Sequence, residues 1–128
     1  TGKPGLYIEG TQFACNQSLS NNEWHNVVAT FSFPSADPGH TSQGEAKIYI
    51  DGVDVTTSNN SKVYMPRPFS INRTRCYIGR SNWWDYGAFG PDNPDFNGGM
   101  GAIQIYNRAL SSNEVSSNYN NTKASYGR

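Results

Sequence analysis

Hydrophobic and polar positions alternate in short runs along this chain, and each run stops at Gly, Pro, Asn or Asp. Leu6-Tyr7-Ile8 and Thr11 to Cys15 flank Glu9-Gly10, which predicts a hairpin with a glycine turn. Asn16 to Asn22 is polar and predicts a loop. Trp24 to Phe33 is the longest predicted strand. Val27, Ala29, Phe31 and Phe33 share one of its faces, and Val28, Thr30 and Ser32 share the other. Pro34 to Gly44 predicts a long loop. In Ala46 to Val55, Ile48 and Ile50 alternate with Lys47 and Tyr49. Asp51-Gly52 then supplies the positive φ angles of a type I′ turn, so a second hairpin is predicted there. Pro66 and Pro68 keep the following segment off any central strand, and Arg75 to Gly79 predicts another strand.

The end of the chain changes character. Ile103 and Ile105 alternate with Gln104 and Tyr106, the period of a half-buried strand. Ser111-Ser112-Asn113-Glu114 fits a capping box, with Ser111 as N-cap and Glu114 three residues on. Val115 and Tyr119 share a face of the short helix this would start. The pattern predicts a closing strand, a tight turn and one or two helical turns.

Composition supports a β reading. The 128 residues include thirteen Gly, seven Pro, three Trp, eight Tyr and six Phe, with many Asn and Ser. That length suits one domain with its own core. Net charge is zero and 16% of residues are charged, which argues against nucleic acid as an electrostatic partner. No apolar run reaches the length of a membrane span, so no membrane partner is expected. Cys15 and Cys76, the two cysteines, both sit in apolar stretches. Two buried thiols and one disulfide both remain open, because spacing does not show proximity.

Four tracts, taken in order, carry a family resemblance. They are Glu23-Trp24-His25-Asn26-Val27-Val28, Lys47 to Gly52, Tyr77 to Arg80, and Ile103 to Ser111 with Glu114. Together they resemble the laminin G-like branch of the concanavalin A-like lectin/glucanase superfamily. The resemblance implies an all-β fold, a two-sheet antiparallel jelly-roll sandwich with one short C-terminal helical turn, as a single domain over residues 1–128. Relatives usually carry opening strands before the equivalent of Leu6 that pair with the last strand. The expectation is therefore that this chain is part of a longer polypeptide, or that something else covers those edges.

Candidate chemistry concentrates between Asn82 and Gly99. Trp83, Trp84, Tyr86 and Phe89 stand beside Asp85, Asp92, Asn93, Asp95 and Asn97 in a long Gly/Pro-rich segment. Aromatic faces with a few placed polar groups suit a sugar ring. The same residues also suit a protein contact or the packing of one end of a sandwich. Trp83, Trp84, Asp85, Tyr86, Phe89, Asn93 and Asn97 are the candidate ligand-binding set. No cofactor is required. Calcium binds in rim loops of relatives, and Asp85, Asp92 and Asp95 are its candidate ligands.

Other patterns yield less. Glycosidases of this superfamily place two carboxylates on one strand. Here the nearest pairs, Asp51 with Asp54 and Asp92 with Asp95, fall in a turn and a loop, so no catalytic residue is assigned. His25 follows Trp24 and is read as a packing residue. Arg67, Arg73, Arg75 and Arg80 form a basic segment, either a solvated face or a heparin-like site. Asn16, Asn59, Asn72 and Asn120 begin glycosylation sequons that matter only in a secretory pathway. The expected function is a non-catalytic surface recognition or assembly module of a virion or an extracellular protein. Its expected partners are other subunits or the rest of a longer chain. A glycan-binding, lectin-like module on cell-surface glycan is the alternative, and a glycoside hydrolase comes third.

Overall fold

A computed structural model describes residues 2–8, 11–32, 43–57, 62–64, 78–79 and 96–127. The chain falls into two compact units. The first comprises Thr1–Arg67 and Tyr106–Arg128, and the second comprises Pro68–Ile105.

The first unit opens with the predicted hairpin. β1 (Gly5–Ile8) pairs antiparallel with β2 (Thr11–Ala14), and Ile8 stands opposite Thr11 across the two-residue connection. β3 (Val27–Ser32) pairs antiparallel with β4 (Gln43–Ile50) from Val27↔Ile50 to Ser32↔Glu45. On its other edge β4 meets β5 (Val53–Asp54) at one end and β6 (Lys62–Tyr64) at the other, both antiparallel. The turn between β4 and β5 is the one the sequence specifies, with φ of 51° at Asp51 and 81° at Gly52. β6 was not among the predicted strands. Three residues ahead of Pro66 are too few to show a period, and only pairing with Gln43–Glu45 defines them.

β4 is the centre of this unit because both of its faces are covered. Ala46, Ile48 and Ile50 on one face pack with buried Cys15, and Leu19, Phe31 and Val55 close around them. Tyr49 on the other face packs with Leu110 and Val115, flanked by Val28. An antiparallel sheet commonly leaves one face wet. Here a helix takes that place. Burying Ile48 and Ile50 contributes about 1.5–3 kcal/mol each relative to exposure. Thr56 joins the two sheets: it forms an antiparallel bridge with Cys15, and its hydroxyl accepts from the Ile48 amide at 3.0 Å. Cys15 is a free, buried thiol. Its Sγ lies 3.3 Å from the carbonyl oxygens of Pro4 and Gln17.

The helix is longer than the expected turn or two. α1 spans Ser112–Thr122 and runs on into a 3-10 turn, Lys123–Tyr126. The predicted capping box is present: the Glu114 amide donates to the Ser111 hydroxyl, and the Ser111 amide donates to the Glu114 carboxylate. Neither Pro nor Gly follows until Gly127, whose φ of 70° ends the turn, so nothing breaks the helix earlier. Val115 is buried against Tyr49 and Leu110, and Tyr119 lies over Gly52. Tertiary packing supplies what a short Asn- and Ser-rich helix lacks in propensity.

The closing strand is a correction. Residues 102–106 form no strand, and Ile103 and Ile105 are exposed. Alternation marks a segment that fits a sheet edge. It does not supply the neighbour that pairing requires. Ile78 and Gly79 are likewise outside any strand, while Arg75–Tyr77 lie outside the described residues. In the second unit, the Phe96 amide donates to the Gly79 carbonyl at 2.6 Å. Gly79 has φ of 77°, and a Cβ there would stand 2.9 Å from the end of Met100, so both backbone and space call for glycine. No described helix is long and apolar enough to cross a membrane.

Candidate functional site

Most of the predicted binding set lies outside the described residues. Trp83, Trp84, Asp85, Tyr86, Phe89, Asp92, Asn93 and Asp95 belong to that segment, as do Arg67, Arg73, Arg75 and Arg80. Asn97 is described and exposed. Among the described residues no group of three or more His, Cys, Asp or Glu side chains is arranged to hold a metal ion.

The structure instead assembles a polar cluster in the first unit. The β2–β3 loop brings Ser20, Glu23 and His25 together, and Asn22 turns it with φ of 62°. The His25 Nδ1 lies 2.8 Å from Asp51 Oδ2, across from the β4–β5 turn. The other Asp51 oxygen accepts the Asn26 amide at 2.9 Å, and the Asp51 amide donates back to the Asn26 carbonyl at 2.9 Å. On the far side of the ring, Nε2 lies 2.9 Å from the Ser20 hydroxyl, which also donates to Glu23. The His25 and Asp51 side chains are only 12% and 17% exposed, so this contact is largely shielded from water.

His25 is therefore more than packing. It fastens a loop to a turn through hydrogen bonds on both ring nitrogens. Sequence reading missed the cluster. Glu23-Trp24-His25 and Asp51-Gly52 were both visible as tracts, but their pairing is non-local. The two carboxylates first weighed for catalysis have structural partners: Asp51 holds His25 and Asn26, and Asp54 accepts the Thr56 amide at 3.0 Å.

Trp24 lies between these cluster residues in sequence and remains 43% exposed. Its ring is tilted 50° against Tyr126, with centroids 5.3 Å apart. Nearby in the chain, the Lys123 ammonium sits 5.6 Å from the centre of the Tyr119 ring.

Exposed apolar side chains also occur in the second unit. Ile78, Phe96, Met100, Ile103 and Ile105 are each between 47% and 89% exposed. Single exposed apolar residues are ordinary, whereas exposed apolar side chains that join into one patch mark a contact.

The ordered tracts, the antiparallel sheets and the capped terminal helix agree with a profile match over residues 3–116 to the Laminin G 3 family of the concanavalin A-like lectin/glucanases superfamily. The chain belongs to this family. No curated protein matches this laminin G-like chain by sequence. Among solved structures, it is similar to an S-layer domain-containing protein from Clostridium thermocellum, with a TM-score of 0.53 and 22% identity. The match covers 91% of the laminin G-like chain and 50% of that structure, so the chain spans half of its length. At that identity the likeness speaks for the fold.

Proposed function

We propose that this laminin G-like chain is a non-catalytic recognition or assembly module on an exterior surface, of a cell or of a virion, and that its partners are protein subunits. The observation that carries the reading is the exposed apolar series Ile78, Phe96, Met100, Ile103 and Ile105 in a domain of a binding family. Exposed apolar side chains that join into one patch mark contact surfaces. The full architecture proposed is the two-sheet jelly roll of the superfamily, as one domain over residues 1–128. The S-layer protein lends support to a surface setting, since its fold is similar.

Sedimentation of the purified chain over a wide concentration range tests the reading. Concentration-dependent association that is lost in an Ile103→Asn, Ile105→Asn double variant supports it. A stable monomer at every concentration, with no response to the substitutions, contradicts it.

Glycan binding is the second reading. It is favoured by the aromatic and amide-rich composition of residues 82–99 and by exposed Trp24. Trp83, Trp84, Asp85, Tyr86, Phe89, Asn93 and Asn97 are its proposed contacts, with Asp85, Asp92 and Asp95 as proposed calcium ligands. A glycan array run with and without calcium decides it.

A further inference from the structure

Asn97, Gly98 and Gly99 follow one another in the second unit, all three exposed and outside any helix or strand. Of the chain's many asparagines, only Asn97 precedes a glycine. An asparagine side chain carries an electrophilic carbon, and the next backbone nitrogen is the nearest nucleophile. Two things ordinarily keep them apart: the side chain of the following residue crowds the approach, and regular structure holds the backbone. Gly98 has no side chain and reaches backbone conformations closed to other residues. No helix or strand ladder holds its amide. Its neighbours also favour glycine, since a Cβ there would stand 2.9 Å from Cζ of the Phe96 ring. We propose that Asn97 is a self-modification site, at which attack by the Gly98 nitrogen converts the asparagine to aspartate and isoaspartate without an enzyme.

The step needs only water. The Gly98 nitrogen gives up its proton to solvent and bonds to Asn97 Cγ. The Cγ–Nδ2 bond breaks, and that nitrogen takes up a proton and leaves as ammonia. The resulting cyclic imide is opened by water at either carbonyl. Cleavage at Cγ gives aspartate, and cleavage at the main-chain carbonyl gives isoaspartate, with the chain then running through Cγ. Both products add one negative charge to a chain of zero net charge. The place of that charge matters. Phe96 and Met100, exposed on either side of Asn97 in sequence, meet over Gly79, where a Cβ would lie 3.3 Å from Phe96 Cβ and 2.9 Å from Met100 Cε. A carboxylate beside them must lose water if that apolar face is covered, which disfavours contact. That consequence rests on the assembly reading; the modification itself does not.

Incubation of the folded chain in mildly alkaline buffer, followed by peptide mass mapping and isoaspartyl methyltransferase labelling, tests the proposal. A carboxyl accumulates at Asn97, faster as the pH rises, and part of it labels as isoaspartate. Three other exposed asparagines serve as internal controls. Asn118 and Asn120 lie in α1, where helical hydrogen bonds hold the following amides, and Asn16 precedes the bulkier Gln17. All three keep their amides while Asn97 converts. Gly98→Ala slows the conversion, and its methyl is accommodated by Phe96, which is 56% exposed and free to turn aside. Asn97→Gln abolishes it with no change at Gly98. The proposal is overturned if Asn97 keeps its amide, if Asn118 and Asn120 convert as fast, or if Gly98→Ala converts at the wild-type rate. Ion exchange separates the acidic product for sedimentation beside the unmodified chain. Weaker association of the acidic fraction supports the consequence for contact, and equal concentration-dependent association of the two contradicts it.

Discussion

The Tyr49 hydroxyl lies 3.0 Å from the hydroxyl of Ser112, a contact that ties the buried face of β4 to the first turn of α1. The residues are 63 positions apart, so the bond is a direct link between the hairpin region and the end of the chain. Tyr49→Phe keeps the ring packing against Leu110 and Val115 and removes only this bond. Urea denaturation is expected to show a loss of about 0.5–1.5 kcal/mol with an unchanged slope.

Val115 stands on the same seam, and its truncation tests packing instead. Val115→Ala removes buried methyl groups beside Tyr49 and leaves a cavity, at a cost of about 1–3 kcal/mol. Val53→Ala, on an exposed β-hairpin position, serves as the control and is expected within about 0.5 kcal/mol of wild type. Equal losses in the two variants would dissolve the distinction between the faces.

Gly52 is required twice over. Its φ of 81° is strained for any other residue, and an added Cβ would lie 3.1 Å from the Tyr119 ring and 3.4 Å from the Ser116 backbone. Gly52→Ala is therefore expected to cost about 1–3 kcal/mol in chemical denaturation. Gly2→Ala meets no neighbour within 4 Å and should be silent.

The helix cap carries a pH signature. The hydrogen bond from Arg108 lowers the Glu114 carboxyl from 4.5 to about 2, with further help from the Ser111 amide and hydroxyl. The same contact raises Arg108. A depressed carboxyl contributes stability that is fully present above its unfolded value and lost as the pH falls through its folded value. The cap should therefore weaken between pH 4.5 and about 2. Carboxyl NMR is expected to place the Glu114 midpoint near the bottom of that window, and Arg108→Ala to move it up toward the ordinary value. A wild-type midpoint near 4.5 would remove the ion pair from the account.

What the sequence disclosed follows from the range of each interaction. The two hairpins were legible because Glu9-Gly10 and Asp51-Gly52 sit between the strands they join. The start of α1 was legible because Ser111 and Glu114 cap within one turn. Its full length was not, because Val115 and Tyr119 depend on Tyr49 and Gly52 far upstream. The strand expected at Ile103 and Ile105 failed for the same reason in reverse: a local period was present with no strand pairing among the described residues. The His25–Asp51 contact joins residues 26 apart and has no local signature at all. The aromatic segment was found by composition, and of its predicted contacts only Asn97 is among the described residues.

The exposed apolar series of the second unit is where the functional account is most open to refutation. Sedimentation velocity of the wild-type chain beside the Ile103→Asn, Ile105→Asn variant measures it most directly. The account predicts association that grows with concentration in the wild type and disappears in the variant, with thermal unfolding unchanged, since both side chains are already exposed. Two identical, stable monomers over the whole range would contradict it.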